Sequence, residues 1–365
     1  MIEFIQGDVM ENKKLTLTPQ GDDIEFYKQV ADLLSKARQY AKRQLDNTIV
    51  ATYYEIGRMI VEREQQGQKR AKYGTKLITG LSEYLAEQCG RGFSVVNLKS
   101  IRKFYQVYAL SKGQSLTAQF KLSWTHYQIL MRIENKAARH FYEIETVNQQ
   151  WSVRQLQRQV GSSLYERLAL SRDKDKIMAL ANEGQTVENP RDIFKTPYVL
   201  EFTGLEERSE YSESELEQAL IDNLQKFLLE LGKGFLFEAR QKRFSFDEQS
   251  FFVDLVFYNR LLQCYVLIDL KISELKHQDL GQMQMYVNYF DRFVKKDFEK
   301  PTIGILLCSK KNDNIVELTL PEDSNIYASA YSLYLPDKNL LQRKLAEWIE
   351  EFEENQNLLQ GDDSE

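Results

Sequence analysis

The run FFVDLVFY, residues 251–258, is apolar except for one carboxylate, Asp254, and YVLIDLK, residues 265–271, carries Asp269 and Lys271 in a similar setting. Both runs are rich in residues that favour strands, and strand side chains alternate faces with a period of two. Phe251, Val253, Leu255 and Phe257 are thus expected on one face, with Phe252, Asp254 and Val256 on the other. In the second run Tyr265, Leu267, Asp269 and Lys271 share a face opposite Val266, Ile268 and Leu270. If the strands pair through a turn at residues 259–262, two carboxylates and one ammonium converge. A charge inside an apolar run is expensive unless it has a partner or a task. The chemistry that uses this set is magnesium-dependent hydrolysis. Hard Mg²⁺, with Mn²⁺ as a substitute, takes oxygen ligands from one or two carboxylates plus phosphate oxygens. An adjacent lysine can orient or deprotonate the attacking water, or offset charge in the transition state.

A helix expected after these strands carries Gln282 and Tyr286, four residues apart and so on one face, within HQDLGQMQMYVNYF. A glutamine can orient water and a tyrosine can contact phosphate. Glu217, on a helix before the first strand, is a further carboxylate, although a glutamate near a helix start also complements the helix dipole. Glu238, on the first strand, matches no motif. The chain has three histidines and three cysteines, the latter at positions 89, 264 and 308 with no CxxC pair. Histidine or cysteine metal centres and a disulfide framework are therefore not expected, and a reducing, cytoplasmic setting is. No stretch reads as a membrane span and the opening residues do not read as a secretory signal, so no membrane partner is expected.

The elements that must position these residues change character near Pro190. From about residue 25 to 182 apolar residues recur at helical spacing and proline is absent. Helices are expected at roughly 25–44, 47–66, 74–89, 94–111, 123–146 and 152–182. Asn189-Pro190 and Thr196-Pro197 then break the pattern. A helix over SESELEQALIDNLQKFLLELG, strands at 235–246, 251–258 and 264–272, a helix at 277–295 and strands at 302–308 and near 326–334 give an α-β-β-β-α-β order. The expected fold is α+β in two domains: an N-terminal extension at 1–24, an all-helical domain at 25–190, a mixed α/β domain at 191–340, and a helix fading into an acidic tail at 341–365.

Charge divides at the same place. Residues 1–190 hold 28 Lys+Arg against 21 Asp+Glu, net +7, and residues 191–365 hold 20 against 33, net −13. This asymmetry implies an anionic partner for the helical domain, DNA first and RNA second. Within it, a helix ending at Cys89, the turn Gly90-Arg91-Gly92 and a helix opened by Ser94 form a helix-turn-helix-like unit. Arg91, Asn97, Lys99, Ser100, Arg102 and Lys103 are the mixture of cation, amide and hydroxyl that holds phosphates and reads base edges. Val96, Leu98, Ile101, Tyr105 and Tyr108 are expected to pack inward, as are Trp124, Tyr127 and Trp151. Lys69, Arg70, Lys72 and Lys76 extend the basic track.

Asp254, fourteen intervening residues, then Asp269-Leu270-Lys271 resembles the PD-(D/E)XK nuclease signature. Gln282-xxx-Tyr286 is similar to the QxxxY extension of RecB-like members. The segments KYGTKLITGLSEYLAEQCGRGFSVVNLKSIRKFY, LSWTHYQIL, FYEIET and WSVRQLQRQV resemble the helical domain of the YhcG-type nuclease family. FLLELGKGFLF, FFVDLVFYNRLLQCYVLIDLK and LGQMQMYVNYF resemble its nuclease domain, and the likeness runs from about residue 25 to 340. The resemblance implies a restriction-endonuclease-like fold, with Asp254 and Asp269 binding metal, Lys271 serving the water, and Glu217, Gln282 and Tyr286 supporting the site. Val253 stands where the signature has proline.

The expected function is metal-dependent phosphodiester hydrolysis, most readily of DNA, with the helical domain supplying affinity. The alternative is a catalytically silent nucleic-acid-binding or assembly module on the same fold. Self-association and partner proteins both remain open.

Overall fold

The computed structural model describes residues 21–66, 71–109, 120–170, 175–195, 197–206, 211–246, 248–321 and 324–347. Most of the expected N-terminal extension, and the acidic tail from residue 348, lie outside these. The chain packs as two compact units, Met1–Tyr127 and Gln128–Glu365.

The first unit holds α1 (Gly21–Gln66), α2 (Ala71–Cys89) and α3 (Val95–Val107), with α4 (Trp124–Leu130) crossing its end. One continuous helix replaces the two expected over 25–66. The polar Asp46-Asn47-Thr48 contains no helix breaker, and the Thr48 hydroxyl donates to the Gln44 carbonyl at 2.9 Å within the helix. The second half of α1 buries Val50, Tyr54 and Ile60, and α3 buries Leu98, Ile101 and Phe104. At Gly57 the two backbones nearly touch: a Cβ there would meet the Ile101 carbonyl oxygen at 2.5 Å. Tyr54, Phe104, Phe120 and Tyr127 stack edge-on and tilted in the core beside them.

The second unit begins with four more helices, α5 (Lys136–Gln149), α6 (Val153–Gly161), α7 (Leu164–Leu170) and α8 (Asp175–Glu183). They stand where the sequence suggests one long helix from 152 and the end of another from 123. Ser163, at φ 51°, breaks α6 from α7. These helices lie before the Pro190 boundary yet pack with the chain beyond it, because charged side chains tie the two together. Glu230, fully buried, receives Arg167 Nη1 at 2.5 Å and Arg158 Nη1 at 3.1 Å, and Lys233 Nζ reaches Glu145 Oε1 at 2.8 Å. Burial alone would push the Glu230 carboxyl up, but the charges of Arg167, Lys195 and Arg158 hold it down at about 2. Packing thus divides the chain about sixty residues before the place where composition changes.

The rest of this unit is built on a six-stranded sheet in the order β1-β6-β5-β4-β3-β2. Its strands are β1 (Tyr198–Val199), β2 (Phe235–Phe246), β3 (Gln249–Asn259), β4 (Cys264–Glu274), β5 (Ile303–Lys310) and β6 (Ile326–Ser332). β2, β3 and β4 form the expected antiparallel meander, and β4, β5, β6 and β1 run parallel. The expected helix over 212–231 is two, α9 (Glu213–Asp222) and α10 (Leu224–Leu231), and α11 is His277–Tyr289, continued by a π-turn at Phe290–Val294. The α-β-β-β-α-β order is therefore present, with β1 and a helix α12 (Asp313–Thr319) added. Leu216, Leu220, Phe227 and Leu231 of α9 and α10 pack with Leu255, Phe257, Ile268 and Leu270. Leu280, Met283, Tyr286 and Val287 of α11 pack with Val253, Val256 and Leu267.

Candidate active site

The alternation of β3 slips at the carboxylate. Val253 packs with Val256 on the α11 side, while Leu255 and Phe257 pack on the α9 side. The strict period of two that would place Val253 with Leu255 and Phe257 thus fails at Asp254. The β3–β4 ladder also ends there, its last pair in that direction being Leu255 with Ile268. Beyond it the Leu270 backbone N–H donates to Asp254 Oδ2 at 2.8 Å, so the side chain takes the place of a ladder carbonyl. On the other flank, β2 pairs Arg240 with Leu255 and Lys242 with Val253, leaving Gln241 without a ladder partner. Gln241 has φ 46°, and its Nε2 donates to Asp254 Oδ1 at 2.9 Å. Asp254 is thereby held from both sides.

On β4, Asp269 and Lys271 share a face as the spacing requires. Asp269 is 3 % exposed. Lys271 Nζ stands 2.7 Å from Asp269 Oδ2, so the buried carboxylate has an ammonium beside it. Burial, and after it the charge of Asp254, pushes the Asp269 carboxyl up to about 7. Burial works against the Lys271 ammonium, yet the Asp269 carboxylate beside it, with Glu213 and Asp254, outweighs this and holds it above the usual lysine value. Lys271 is therefore a cation in the resting site. Glu213 Oε2 lies 3.7 Å from its Nζ.

The structure brings the remaining expected site residues, Gln282, Tyr286 and Glu217, to this region in two different ways. On α11, Gln282 Nε2 donates to the Tyr286 hydroxyl. Tyr286 is buried, and burial raises its pKa, with Asp269, Asp254 and Lys271 all near enough to act on it. Glu217 does not touch Asp254. It accepts from Arg240 Nε and from Gln241 Nε2, and Gln241 passes the connection to Asp254. Glu217 also sits in the second turn of α9, whose first turn carries Glu213 and Glu215. Sequence reasoning missed Gln241, Arg240 and Glu213. The first two look like ordinary polar residues of an edge strand, and Glu213 like dipole complementation behind the Ser212 cap. Glu238 is exposed and pairs with Lys242 at 3.5 Å.

Asp254 and Asp269 supply hard oxygen donors, and the repulsion by which the charge of Asp254 raises the Asp269 carboxyl is what a bound cation would relieve. Among the described residues no three His, Cys, Asp or Glu side chains gather as a closed metal cage. The set fits a magnesium-type ion that keeps water and substrate oxygens in its shell, and does not fit a structural zinc.

In the first unit, Ser94 caps α3, accepting from Asn97 N–H at 3.3 Å, and Gly90 and Gly92 take the positive φ values of 79° and 127° that the turn needs. The six residues selected for nucleic acid divide. Arg91, Lys99 and Lys103 are exposed. Asn97 is consumed internally, donating to the Gly92 carbonyl at 2.7 Å and accepting from Trp124 Nε1 at 3.1 Å. Arg102 pairs with Glu64 at 2.8 Å, and the Ser100 hydroxyl donates to the Val96 carbonyl at 3.1 Å. Val96, expected to pack inward, is 75 % exposed and lies on the open face with Lys99 and Lys103. Trp124, Tyr127 and Trp151 are packing residues, as expected. Lys76 is exposed, while Lys69 and Arg70 lie outside the described residues. Cys89, Cys264 and Cys308 are unpaired. Among the described residues no helix is long and apolar enough to cross a membrane.

Comparison with known proteins matches both parts of the chain. Residues 191–346 match the YhcG PDDEXK nuclease domain, and residues 29–167 match the DUF1016 N-terminal domain. The chain is 38 % identical over 352 residues to "Putative nuclease YhcG" of Escherichia coli (strain K12), covering 87 % of this chain and 93 % of that protein. Two solved structures align more loosely. A repair endonuclease from Pyrococcus abyssi is 18 % identical with a TM-score of 0.24, over 35 % of this chain and 49 % of its own. An EndoMS–dsDNA complex is 17 % identical with a TM-score of 0.25, over 37 % and 51 %. The two matched domains and the near full-length likeness show that the chain belongs to the YhcG family of PDDEXK nucleases.

Proposed function

We propose that this nuclease is a magnesium-dependent phosphodiesterase that cuts DNA. The observation that carries the reading is the buried Asp269 carboxylate, with Lys271 Nζ 2.7 Å from its Oδ2 and the charge of Asp254 near enough to raise its pKa. Asp254 and Asp269 would hold the ion, and Mn²⁺ would serve the same oxygens. When bound, the ion supplies electrostatic stabilisation of a phosphoryl oxygen and an acidified water.

The protein's own groups do the rest. Gln241 and the Leu270 N–H fix the Asp254 carboxylate, and because Leu270 lies between Asp269 and Lys271 the same bond sets β4 against β3. Lys271, already protonated, acts as a donor rather than as the resting base. It orients the water or offsets negative charge growing on the phosphate oxygens. Gln282 and the Tyr286 hydroxyl offer neutral polar contacts at the edge of the site. Arg91, Lys99 and Lys103 are placed to hold phosphates and Val96 to meet an apolar base edge, so that the helical unit supplies affinity and the sheet unit the cut.

The test is cleavage of supercoiled, linear, single-stranded and branched DNA, and of RNA, with Mg²⁺ or Mn²⁺, by the native chain and by Asp269→Ala and Lys271→Ala. Metal-dependent DNA cutting lost in both variants supports the reading. Cutting that survives either variant, or that needs no metal, overturns it. RNA cut in preference to DNA overturns the substrate.

A further inference from the structure

The first half of α1 has no partner among the described residues. Every side chain from Ile24 to Leu45 is exposed, and packing against the rest of the unit begins only near Val50. A solvated helix of this length should be polar all round. This one is not: Phe26 is 59 % exposed, Tyr27 52 %, Val30 40 %, Leu33 68 %, Leu34 52 % and Tyr40 66 %. With Ala37 and Ala41 they fall into one stripe of period seven. Val30 and Ala37 recur at one heptad position, Phe26, Leu33 and Tyr40 at the position four before the next, and Tyr27, Leu34 and Ala41 beside them. At about 150–250 Å² for a full aromatic side chain, the open part of this stripe is on the order of 600 Å². That is at the top of the range for the largest patch on a monomer, and it approaches the roughly 800 Å² that each partner of a standard interface buries.

The charges along the same stretch say what would cover it. Residues 21–34 hold four acidic residues against one lysine, net −3, and residues 35–45 hold four basic residues and no acidic one, net +4. One end of the segment therefore attracts the other end of an identical segment. A parallel pair would set like charges side by side, whereas an antiparallel pair opposes acid to base at both ends. A two-fold axis does this with a single surface patch.

We infer that residues 21–45 form an antiparallel coiled coil with the same segment of a second chain, making the protein a homodimer. The inference is independent of the nuclease reading, since none of these residues belongs to the candidate site. It also places two copies of the basic helical unit in one molecule.

Sedimentation of the full chain at micromolar concentration tests it, the expected mass being twice 42.9 kDa. Leu33→Glu with Leu34→Glu should halve that mass and leave the far-ultraviolet circular dichroism of the folded units in place, because both positions are exposed. A native chain that sediments as a monomer overturns the inference, whether the stripe is then covered by another part of the chain or by a different protein. So does a dimer that the double variant leaves intact. For orientation, in a Cys89→Ser background, a mixture of Glu25→Cys and Arg43→Cys chains should cross-link on oxidation while Glu25→Cys alone should not. Cross-linking of Glu25→Cys to itself would overturn the antiparallel arrangement.

Discussion

Asp254 accepts the backbone N–H of Leu270 at 2.8 Å, just past the last ladder pair between β3 and β4. A group expected to serve chemistry also closes the sheet at the point where its strands part. Asp254→Ala should therefore lose activity and leave a buried N–H unpaired, at about 1–3 kcal/mol of stability. Asp254→Asn, which keeps an acceptor, should lose activity while melting close to the native chain. Thermal melts of the two variants side by side distinguish the two roles.

Asp269 sets stability against activity. Its folded pKa of about 7, set first by burial and then by Asp254, lies above the roughly 3.9 of an unfolded chain. A raised carboxyl binds its proton more tightly in the folded state, so folding gains as pH falls from about 7 towards 4 and is penalised above 7. Asp269→Asn should abolish cleavage yet melt higher than the native chain near pH 8, by roughly 2–4 °C for each kcal/mol relieved, with the gap closing near pH 5. Mg²⁺ should raise the melting temperature of the native chain at pH 8 and not that of the variant.

Gln241 touches both Asp254 and Glu217 and carries no charge of its own. Gln241→Ala should lower kcat by roughly 10–100-fold with little change in KM for DNA, the loss expected when a residue that orients a metal ligand is removed. Glu217→Gln should give a smaller version of the same change. An unaltered kcat in Gln241→Ala would show that Asp254 is positioned by β4 alone.

Glu230 should matter for stability and not for chemistry. Glu230→Gln leaves Arg167 buried without its counter-charge, at roughly 3–5 kcal/mol, and should lower the melting temperature of the Gln128–Glu365 unit. With a folded pKa of about 2, Glu230 contributes stability that is complete above the unfolded value of about 4.3 and is lost as pH falls through 2. The native chain should accordingly lose stability more steeply than Glu230→Gln in that acid window, which denaturant melts at stepped pH would read.

Lys99→Glu and Lys103→Glu should each weaken DNA binding for all sequences alike and reduce the slope of log affinity on log salt by about 1. Asn97→Ala should instead loosen the α2–α3 turn, because its amide joins Gly92 to Trp124. Truncation to test the division of labour belongs in the link between α4 and α5, residues 131–135, close to where packing divides, and not at 190, since a cut there would strip Arg158 and Arg167 from Glu230.

Local pattern was enough to read the strands of the meander, the helix after them and the shared face of Asp269 and Lys271, because these depend on periods of two and 3.6 that operate within a few residues. The Gly-rich turn and the Ser94 cap were legible for the same reason, being local backbone chemistry. Other features depend on partners far apart in the chain and emerge only when it is folded. The slip at Asp254 arises where three strands meet, and Gln241 is a site residue only because β2 lies beside β3. Ion pairs spanning 63 to 88 residues join the helices before Pro190 to the chain beyond it, and Asn97 and Arg102 are withdrawn from the open face by Trp124 and Glu64. Composition marks where the chain changes character, but long-range burial of charge decides which pieces pack as one.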